Sequence, residues 1–173
     1  MGPISAEIEV DAPREAAFAL ISDLARRPTF TDHFLTGLHL TRIEARGEGA
    51  GARFRVEAPF RSPWEDTTLV ELEEPNKIVE RGAGGRSNRI PNHTVWEIEP
   101  GRAGMTLLRV THWTVPGHPI DKTVEALSFG AHYQRKGWKK ALVRLRDILE
   151  AEGPVAGERI AVAGGNRYAT GIP

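Results

Sequence analysis

Three side chains that can move protons stand where they could share one interior: His112, Asp66 and Tyr133. An imidazole titrates near neutral pH, and a carboxylate or a phenol beside it completes an acid–base pair. Such a pair would suit ring closure or loss of water, with a surrounding cavity shaping the substrate. Ordinary structural roles are equally open. His112 could be a buried, hydrogen-bonded histidine, Asp66 could pair with an arginine, and Tyr133 could cover the edge between a helix and the sheet.

Other reaction chemistries find little support in the sequence. The chain has no cysteine, which excludes disulfides, thiolate metal sites and cysteine nucleophiles. The six histidines show no recognised ligand spacing, so we expect no metal site and no cofactor. Gly82, Gly84 and Gly85 do not precede a helix in a βαβ unit, so they indicate close backbone approach or a loop at a cavity rim. Ser22 and Ser128 have no evident base for a hydrolase.

Composition sets the class of protein. The 173 residues suffice for one well-buried core, and the 23 basic and 23 acidic side chains balance. This balance argues against binding to nucleic acid, which needs a basic excess. No stretch approaches the roughly 18 apolar residues of a membrane span, and the alternating N-terminus does not resemble a signal peptide. We therefore expect a cytoplasmic protein without an integral membrane segment.

Alternation and helical spacing divide the chain into elements. Residues 4–10 predict a half-buried strand, helical spacing follows from Arg14 until Pro28, and a short helical turn is predicted over 31–35. Further strands are predicted over 38–45, 53–58, 67–72, 77–83, 92–99 and 105–115. A long helix from about Ile120 to Glu152 closes the predicted domain, residues 1–152. Residues 153–173 are a tail rich in Gly and Ala.

This order predicts an α+β fold in which one curved antiparallel sheet of about seven strands surrounds the last helix. Two short helices follow the first strand. Short turns favour an antiparallel meander, and a sheet this wide must curl and needs a cover for its apolar face. The last helix, about 45 Å long at about 1.5 Å per residue, is long enough to supply that cover. A curled sheet around a straight helix leaves volume unfilled, which predicts an apolar pocket.

Strand parity selects the side chains that should face this pocket. If Phe54 and Val56 point inward, the same parity places the acid–base candidate Asp66 inward too. The predicted ligand-binding residues are Phe54, Val56, Trp64, Thr68, Val70, Thr94, Trp96, Leu108, Val110, His112, Leu127, Ala131, Gln134 and Trp138. A bulge of one residue would reverse every assignment beyond it.

Several segments together resemble the START-like or SRPBCC superfamily, in its polyketide cyclase/dehydrase branch. They are Ile4 to Pro13, Ser22 to Leu24, Gly49 to Phe54, Val70 to Pro75, Thr94 to Pro100, Gly104 to Leu108 and Leu142 to Leu149. The resemblance covers roughly residues 4 to 152 and rests on scaffold segments that are specific only in combination. It implies a helix-grip fold with a hydrophobic cavity. Members of the family include lipid carriers, receptors, ring-closing enzymes and co-chaperones, so the resemblance implies a pocket without fixing a reaction.

Three functions remain open from the sequence. The first is a protein that binds a small hydrophobic or aromatic ligand, such as a lipid or a polyketide-like compound, in its internal cavity. The second is a cyclase or dehydratase that uses His112 with Asp66 or Tyr133. The third is a protein-interaction module with a vestigial pocket. The expected outward direction of Trp113 and Arg109 leaves a homodimer open.

Overall fold

The computed structural model describes residues 2–58, 62–120, 122–123 and 130–152. Its strands are β1 (Ile4–Val10), β2 (Leu35–Leu40), β3 (Gly51–Val56), β4 (Trp64–Glu73), β5 (Lys77–Gly84), β6 (Ile90–Pro100) and β7 (Thr106–Thr114). Its α-helices with described bounds are α1 (Arg14–Ile21), α2 (Pro28–Thr31) and α3 (Gly130–Glu152). The proposed division at residue 152 stays a prediction, because residues 153–173 lie outside the described part.

The seven strands form one antiparallel sheet in the order β1-β7-β6-β5-β4-β3-β2. Every neighbour in this order except β1 and β7 follows directly in sequence, as a meander requires. β1 closes the order by pairing with β7, where Ile4 lies opposite His112 and Ala6 opposite Val110. The sheet curls into a half-barrel around the C-terminal helix, which confirms the predicted helix-grip architecture.

Helix α3 covers the concave face of the sheet with one apolar stripe. Trp138, Ala141, Leu142, Leu145 and Leu149 are buried, at the spacing of three and four residues that places side chains on one side of a helix. They join a single hydrophobic core with α1, α2 and the inner face of the sheet. Within the described residues no helix is long and apolar enough to cross a membrane.

Two boundaries near the short helices differ from the sequence prediction. Helix α2 spans Pro28–Thr31 instead of residues 31–35, because proline suits the first turn of a helix, where its missing N–H group is not needed. Strand β2 then begins at Leu35, earlier than the predicted residue 38. Gly37, which we expected to end a helix, lies within β2 with φ of 60° at a shift in the pairing with β3. Glycine tolerates this left-handed conformation without strain.

Candidate functional site

One row of inward side chains crosses the sheet at a single height and mixes polar with apolar groups. Leu69 on β4 lies opposite Glu80 on β5, Glu80 opposite Thr94 on β6, and Thr94 opposite His112 on β7. All four residues are buried. The neighbouring row through Ile78, Trp96 and Val110 is more apolar, so the polar groups collect toward one end of the concave face.

The carboxylate of Glu80 is at the centre of a hydrogen-bonded group that we name the Glu80 cluster: Arg27, Thr67, Glu80 and Trp96. Arg27 Nη2 donates to Glu80 Oε1 at 2.7 Å and to the Ile21 carbonyl oxygen at 3.1 Å. Trp96 Nε1 donates to the same carboxylate oxygen at 2.8 Å, and Thr67 Oγ1 donates to Oε2 at 2.8 Å. Both carboxylate oxygens are therefore bonded, and Arg27 Nε is the one buried polar atom in this cluster without a partner in the described structure.

The charge state of Glu80 follows from these bonds. Burial would raise the pKa of the carboxyl, but the charge of Arg27 and the hydrogen bonds from Arg27, Thr67 and Trp96 outweigh burial and lower that pKa. The ion pair is almost fully removed from water, since the two side chains are 2% and 3% exposed. A buried carboxylate with this set of donors holds the surrounding elements in place.

Glu65 brings a second buried carboxyl group to the same end of the sheet. It accepts a hydrogen bond from Asn92 Nδ2 at 3.1 Å. Its side chain lies over Gly84, where an added Cβ atom would come within 2.5 Å of the Glu65 Cγ atom. The glycine in β5 is thus a close-approach position, as its sequence context predicts.

His112 is buried, inward and only partly hydrogen-bonded. Its Nδ1 atom lies 2.9 Å from Thr94 Oγ1, while its Nε2 atom has no partner among the described residues. Burial lowers the pKa of His112 to about 4, partly opposed by the negative charge of Glu80. The imidazole is therefore neutral at neutral pH, with one ring nitrogen carrying a proton and the other able to accept one.

The indole nitrogen of Trp138 is the second buried ring nitrogen of this region that has no partner among the described residues. The ring packs edge-on against Phe34 and Trp96, with centroid distances of 5.1 and 5.5 Å, and is tilted against His112 at 6.2 Å. Its Nε1 donor is buried and has no acceptor in the described part of the chain. We name His112 and Trp138 the His112 pair, because each has one buried nitrogen that the protein leaves without a hydrogen bond.

A small interior space separates these groups. Its volume is about 10 Å³, close to the minimum that holds one water molecule. Its walls are Arg27, Phe34, Leu35, Phe54, Val56, Glu65, Thr67, Glu80, Asn92, Thr94, His112, Gln134 and Trp138. Both members of the His112 pair therefore line the same space as Arg27, Thr67 and Glu80 of the Glu80 cluster.

A larger open cleft of about 440 Å³ lies on the other side of Phe34. It is lined by His33, Phe34, Glu57, Ala58, Tyr133, Lys136, Gly137 and Lys140. Phe34 lines both spaces and is the residue that the two linings share.

Most of the predicted ligand-binding residues occupy the inward positions that parity assigned. Phe54, Val56, Thr94, Trp96, Leu108, Val110, His112 and Trp138 are buried. Gln134 lines the interior space and Ala131 is half-buried, whereas Leu127 lies outside the described residues. Contact of any of these residues with a ligand stays a prediction.

The prediction for β4 is wrong in direction. Phe54 lies opposite Glu65 and Ala52 opposite Thr67, so Glu65, Thr67 and Leu69 point inward. The four predicted residues Trp64, Asp66, Thr68 and Val70 occupy the outer side, and both Trp64 and Val70 are 39% exposed. The cause is a bulge between Leu69 and Glu71, which returns Leu72 to the core side. Strict alternation backward from the inward Leu72 therefore assigns the wrong face to the residues that precede the bulge.

The proposed acid–base pairs are not assembled in the structure. Asp66 bonds on the outer face with Arg53, at 3.4 Å, and with Asn88. Tyr133 is 42% exposed and lines the open cleft, whereas His112 is buried in the interior. Trp64, also outside, is flanked by Arg53 and Arg55, whose guanidinium carbons lie 5.5 and 5.8 Å from its ring.

The sequence analysis missed five polar residues of the interior: Arg27, Glu65, Thr67, Glu80 and Asn92. One signal was available, because Glu80 stands two residues after Ile78 in β5 and so shares its face. Arg27 gave no signal, because it belongs to an irregular segment between α1 and α2. The described residues contain no group of three or more His, Asp or Glu side chains arranged to hold a metal ion.

Comparison with known proteins connects this geometry to a family. A family model described as polyketide cyclase/dehydrase and lipid transport matches residues 1–150. Among curated proteins no match was found.

Solved structures share the fold at low sequence identity. The KanY protein superposes with a TM-score of 0.67 at 18% identity, over 87% of this chain and 99% of its own. The protein TTHA0849 from Thermus thermophilus gives 0.63 at 17% identity, over 88% and 99%. A START superfamily protein from Mycobacterium smegmatis gives 0.61 at 17% identity, over 87% and 98%.

Proposed function

Because this chain belongs to the polyketide cyclase/dehydrase and lipid transport family, we propose that it binds one small, largely apolar ligand that carries a hydrogen-bonding oxygen. The oxygen of the ligand lies between α3 and the polar end of the sheet. The observation that carries this proposal is the His112 pair, two buried ring nitrogens at one interior space that have no partner among the described residues. An unpaired buried polar group costs about 1 to 3 kcal/mol, so an acceptor oxygen placed there gains affinity and orientation.

The surroundings of the pair suit an apolar compound. Phe34, Leu35, Phe54 and Val56 line the same space, and burial of ligand surface against them contributes roughly 25 cal/mol per Å². The interior volume of about 10 Å³ holds only a small group of atoms. The body of the ligand therefore lies in the open cleft, whose volume of about 440 Å³ falls within the range of small-molecule sites.

Phe34 connects the two spaces in this proposal. Because its ring lines both of them, a rotation of the side chain opens a path from the cleft to the His112 pair. The ligand oxygen then accepts from Trp138 Nε1, and His112 Nε2 donates or accepts according to its tautomer. Small ligand groups that reproduce these bonds would replace the single water that the interior can hold.

A second candidate function is proton transfer by His112 to or from the bound ligand. Its neutral imidazole with a free Nε2 atom favours this role, because one ring nitrogen is available to a substrate. Glu65, which faces the same space, would replace Asp66 as the nearby carboxyl group. Ring closure or loss of water is the reaction class that fits the family description.

The experiment that tests ligand binding is native mass spectrometry of the purified chain, followed by denaturation and analysis of released compounds. We expect an apolar compound that raises the melting temperature when it is added back. The variant Trp138→Phe should weaken its binding by about tenfold, since it removes one ligand hydrogen bond. His112→Gln should keep most of the binding, since the amide can hydrogen-bond in place of the ring nitrogen. Trp113→Phe is the matched control, because Trp113 stacks on His93 at 5.0 Å, outside the proposed site.

An empty protein whose melting temperature no lipid or aromatic compound changes would contradict the proposal and favour an interaction module. The two candidate functions separate by incubation of the protein with the released compound. Chemical change of the compound that His112→Gln abolishes, with binding of the compound retained, supports proton transfer. An unchanged compound supports binding alone.

A further inference from the structure

The open cleft presents one face of α3 to a wall formed by the α2–β2 segment and the end of β3. Tyr133, Lys136, Gly137 and Lys140 recur at spacings of three, one and three residues, so they share that face of the helix. The opposite wall consists of His33, Phe34, Glu57 and Ala58. This arrangement combines cationic, aromatic and bare backbone groups in a space of about 440 Å³.

The two lysines of the cleft have no carboxylate partner in the described structure. Lys136 and Lys140 are four residues apart on one helix face, so their ammonium groups repel each other. Arg144, one turn further along, bonds instead with Asp32 and donates to His33 Nδ1 at 3.3 Å. The lysine charges are thus the ones that remain available to a bound anion.

The other titratable groups at the cleft leave its charge positive. Glu57 accepts hydrogen bonds of 2.7 Å from Thr36 and from Ser62, which lower its pKa, and it makes no ion pair with either lysine. Burial lowers the pKa of His33, whose Nε2–H donates to the Gly137 carbonyl oxygen at 3.0 Å. At neutral pH the described lining of the cleft therefore contains two cations, one carboxylate and a neutral imidazole.

The apolar part of the cleft is held against the same helix turn. A Cβ atom at Gly137 would come within 2.5 Å of the Phe34 ring, so the ring rests directly on the helix backbone beside the lysines. Phe34 also packs edge-on against Trp138 at 5.1 Å, which fixes its position toward the interior. An apolar contact surface and two free cations are therefore adjacent.

We infer that the cleft takes the carboxylate of a small amphipathic acid, with Lys136 and Lys140 holding the anion and Phe34 contacting the apolar body. This inference rests on the proposed function and deepens it, because it names organic acids as the ligand class. The carboxylate lies at the cleft lysines, and the oxygen that reaches the His112 pair is a separate group at the other end of the ligand. The carboxylate relieves the repulsion between the lysines and forms charge-assisted hydrogen bonds. The acid is taken as a free monomer, since the cleft encloses the volume of one small molecule.

Matched ligand pairs test the inference on the full chain. Decanoate is compared with decanol, and naphthoate with naphthalenemethanol, by calorimetric titration at low salt. We expect each acid to bind about tenfold more tightly than its alcohol. The double variant Lys136→Gln/Lys140→Gln should remove this preference and leave alcohol binding unchanged. Added salt should weaken binding of the acids only.

Two further variants locate the charge effect. Lys139→Gln is the matched control, because Lys139 is exposed on the same helix but does not line the cleft. It should leave acid binding unchanged. Glu57→Gln removes the carboxylate that faces the lysines across the cleft and should tighten acid binding by about threefold.

Equal binding of acids and alcohols would overturn the inference and leave the proposed function standing. Binding of neither member of any pair would overturn the inference and also count against the proposed function. A loss in Lys139→Gln as large as in the double variant would overturn it as well, since it would show a diffuse basic surface. The same conclusion would follow if the chain sediments with phosphatidylglycerol vesicles and shows no affinity for the monomeric acids.

Discussion

The Glu80 cluster and the His112 pair lie side by side on the concave face, and they differ in how fully they are hydrogen-bonded. In the cluster, three donors satisfy both oxygens of a buried carboxylate. In the pair, two buried ring nitrogens have no partner in the described structure. Trp96 and Trp138 show the difference within one pair of neighbouring residues. Their ring centroids lie 5.5 Å apart, but in the described structure only the Trp96 nitrogen has an acceptor.

The difference separates two uses of a buried polar group. An ion pair whose carboxylate accepts hydrogen bonds on both oxygens fixes the elements that contribute to it, here β4, β5, β6 and the segment before α2. A group with free hydrogen-bonding capacity gains its partner from a ligand or a water molecule. We therefore interpret the Glu80 cluster as structural support for the His112 pair, which is the part of the interior available to a ligand.

The largest effect is expected when the Glu80 cluster is broken. Glu80→Gln removes the negative charge and leaves the Arg27 guanidinium buried without a counter-ion, so the free energy of unfolding should fall by about 3 to 5 kcal/mol. Denaturant titration measures the fall. Glu7→Gln is the control, since Glu7 pairs with Arg109 at 3.1 Å on the exposed face and should cost at most about 1 kcal/mol. Similar losses in both variants would contradict a structural role for the cluster.

The second-largest effect is expected when the pH is lowered, because folding holds His112 in its neutral state. Its pKa is about 4 in the folded chain, below the ordinary histidine pKa of 6.5, so the unfolded chain binds more protons between these values. Stability is then full above the unfolded pKa and falls as pH decreases toward the folded pKa. Between about pH 7 and about pH 5 the loss from this residue should be roughly 2 kcal/mol.

His112→Gln should flatten this part of the stability profile, measured by denaturant titration at several pH values. Some slope should remain, because burial also lowers the pKa of His33 and acts in the same direction. Glu80 contributes only at lower pH, since its folded pKa lies below the ordinary glutamate value. An unchanged profile in His112→Gln would show that the imidazole is not held neutral by burial.

A matched pair of tryptophan variants isolates the two indole nitrogens. Trp96→Phe and Trp138→Phe both shrink a buried ring, but only the first removes a hydrogen bond to a charged oxygen. In the ligand-free protein we expect Trp96→Phe to cost about 1.5 kcal/mol more in free energy of unfolding than Trp138→Phe. Thermal and denaturant unfolding together measure the difference. Equal costs would show that the Trp138 nitrogen has a partner in the ligand-free protein.

Sequence patterns predicted the fold well because apolar and polar residues alternate along most strands, as they must in a sheet that buries one face. β6 and β7 are the clearest cases: Thr94, Trp96 and Ile98 face inward, as do Val110 and His112. The stripe on the last helix gave Trp138 and the core residues that follow it for the same reason.

The candidate site was only partly predictable, because its interior polar groups depend on contacts distant in sequence. Arg27 and Glu80 are separated by 53 residues and meet only in the folded chain. Without this contact, an inward glutamate in β5 contradicts the expectation that charged residues face solvent. In β4 the same expectation favoured the face with Thr68 and Val70. Leu72 does point inward, but the bulge at Leu69/Glu71 means that Thr68 and Val70 do not share its direction.

Two adjacent threonines in β4 give the smallest and most local test of the corrected direction. Thr67 points inward and donates to Glu80 Oε2 at 2.8 Å, whereas Thr68 lies on the outer side, opposite Arg81. Thr67→Val preserves shape but removes the hydroxyl donor, and should lower the free energy of unfolding by about 1 kcal/mol.

Thr68→Val is the matched control and should lie within about 0.5 kcal/mol of the parent, as surface substitutions usually do. Denaturant titration of both variants gives the comparison. If Thr68→Val lowered the free energy of unfolding more than Thr67→Val, the result would favour the inward Thr68 predicted from the sequence over the described register. Because the loss in Thr67→Val arises from the bond to Glu80, it should also shrink when measured in the Glu80→Gln background. If the losses in free energy of unfolding of the two single variants simply add in the double variant, Thr67 does not act through the carboxylate.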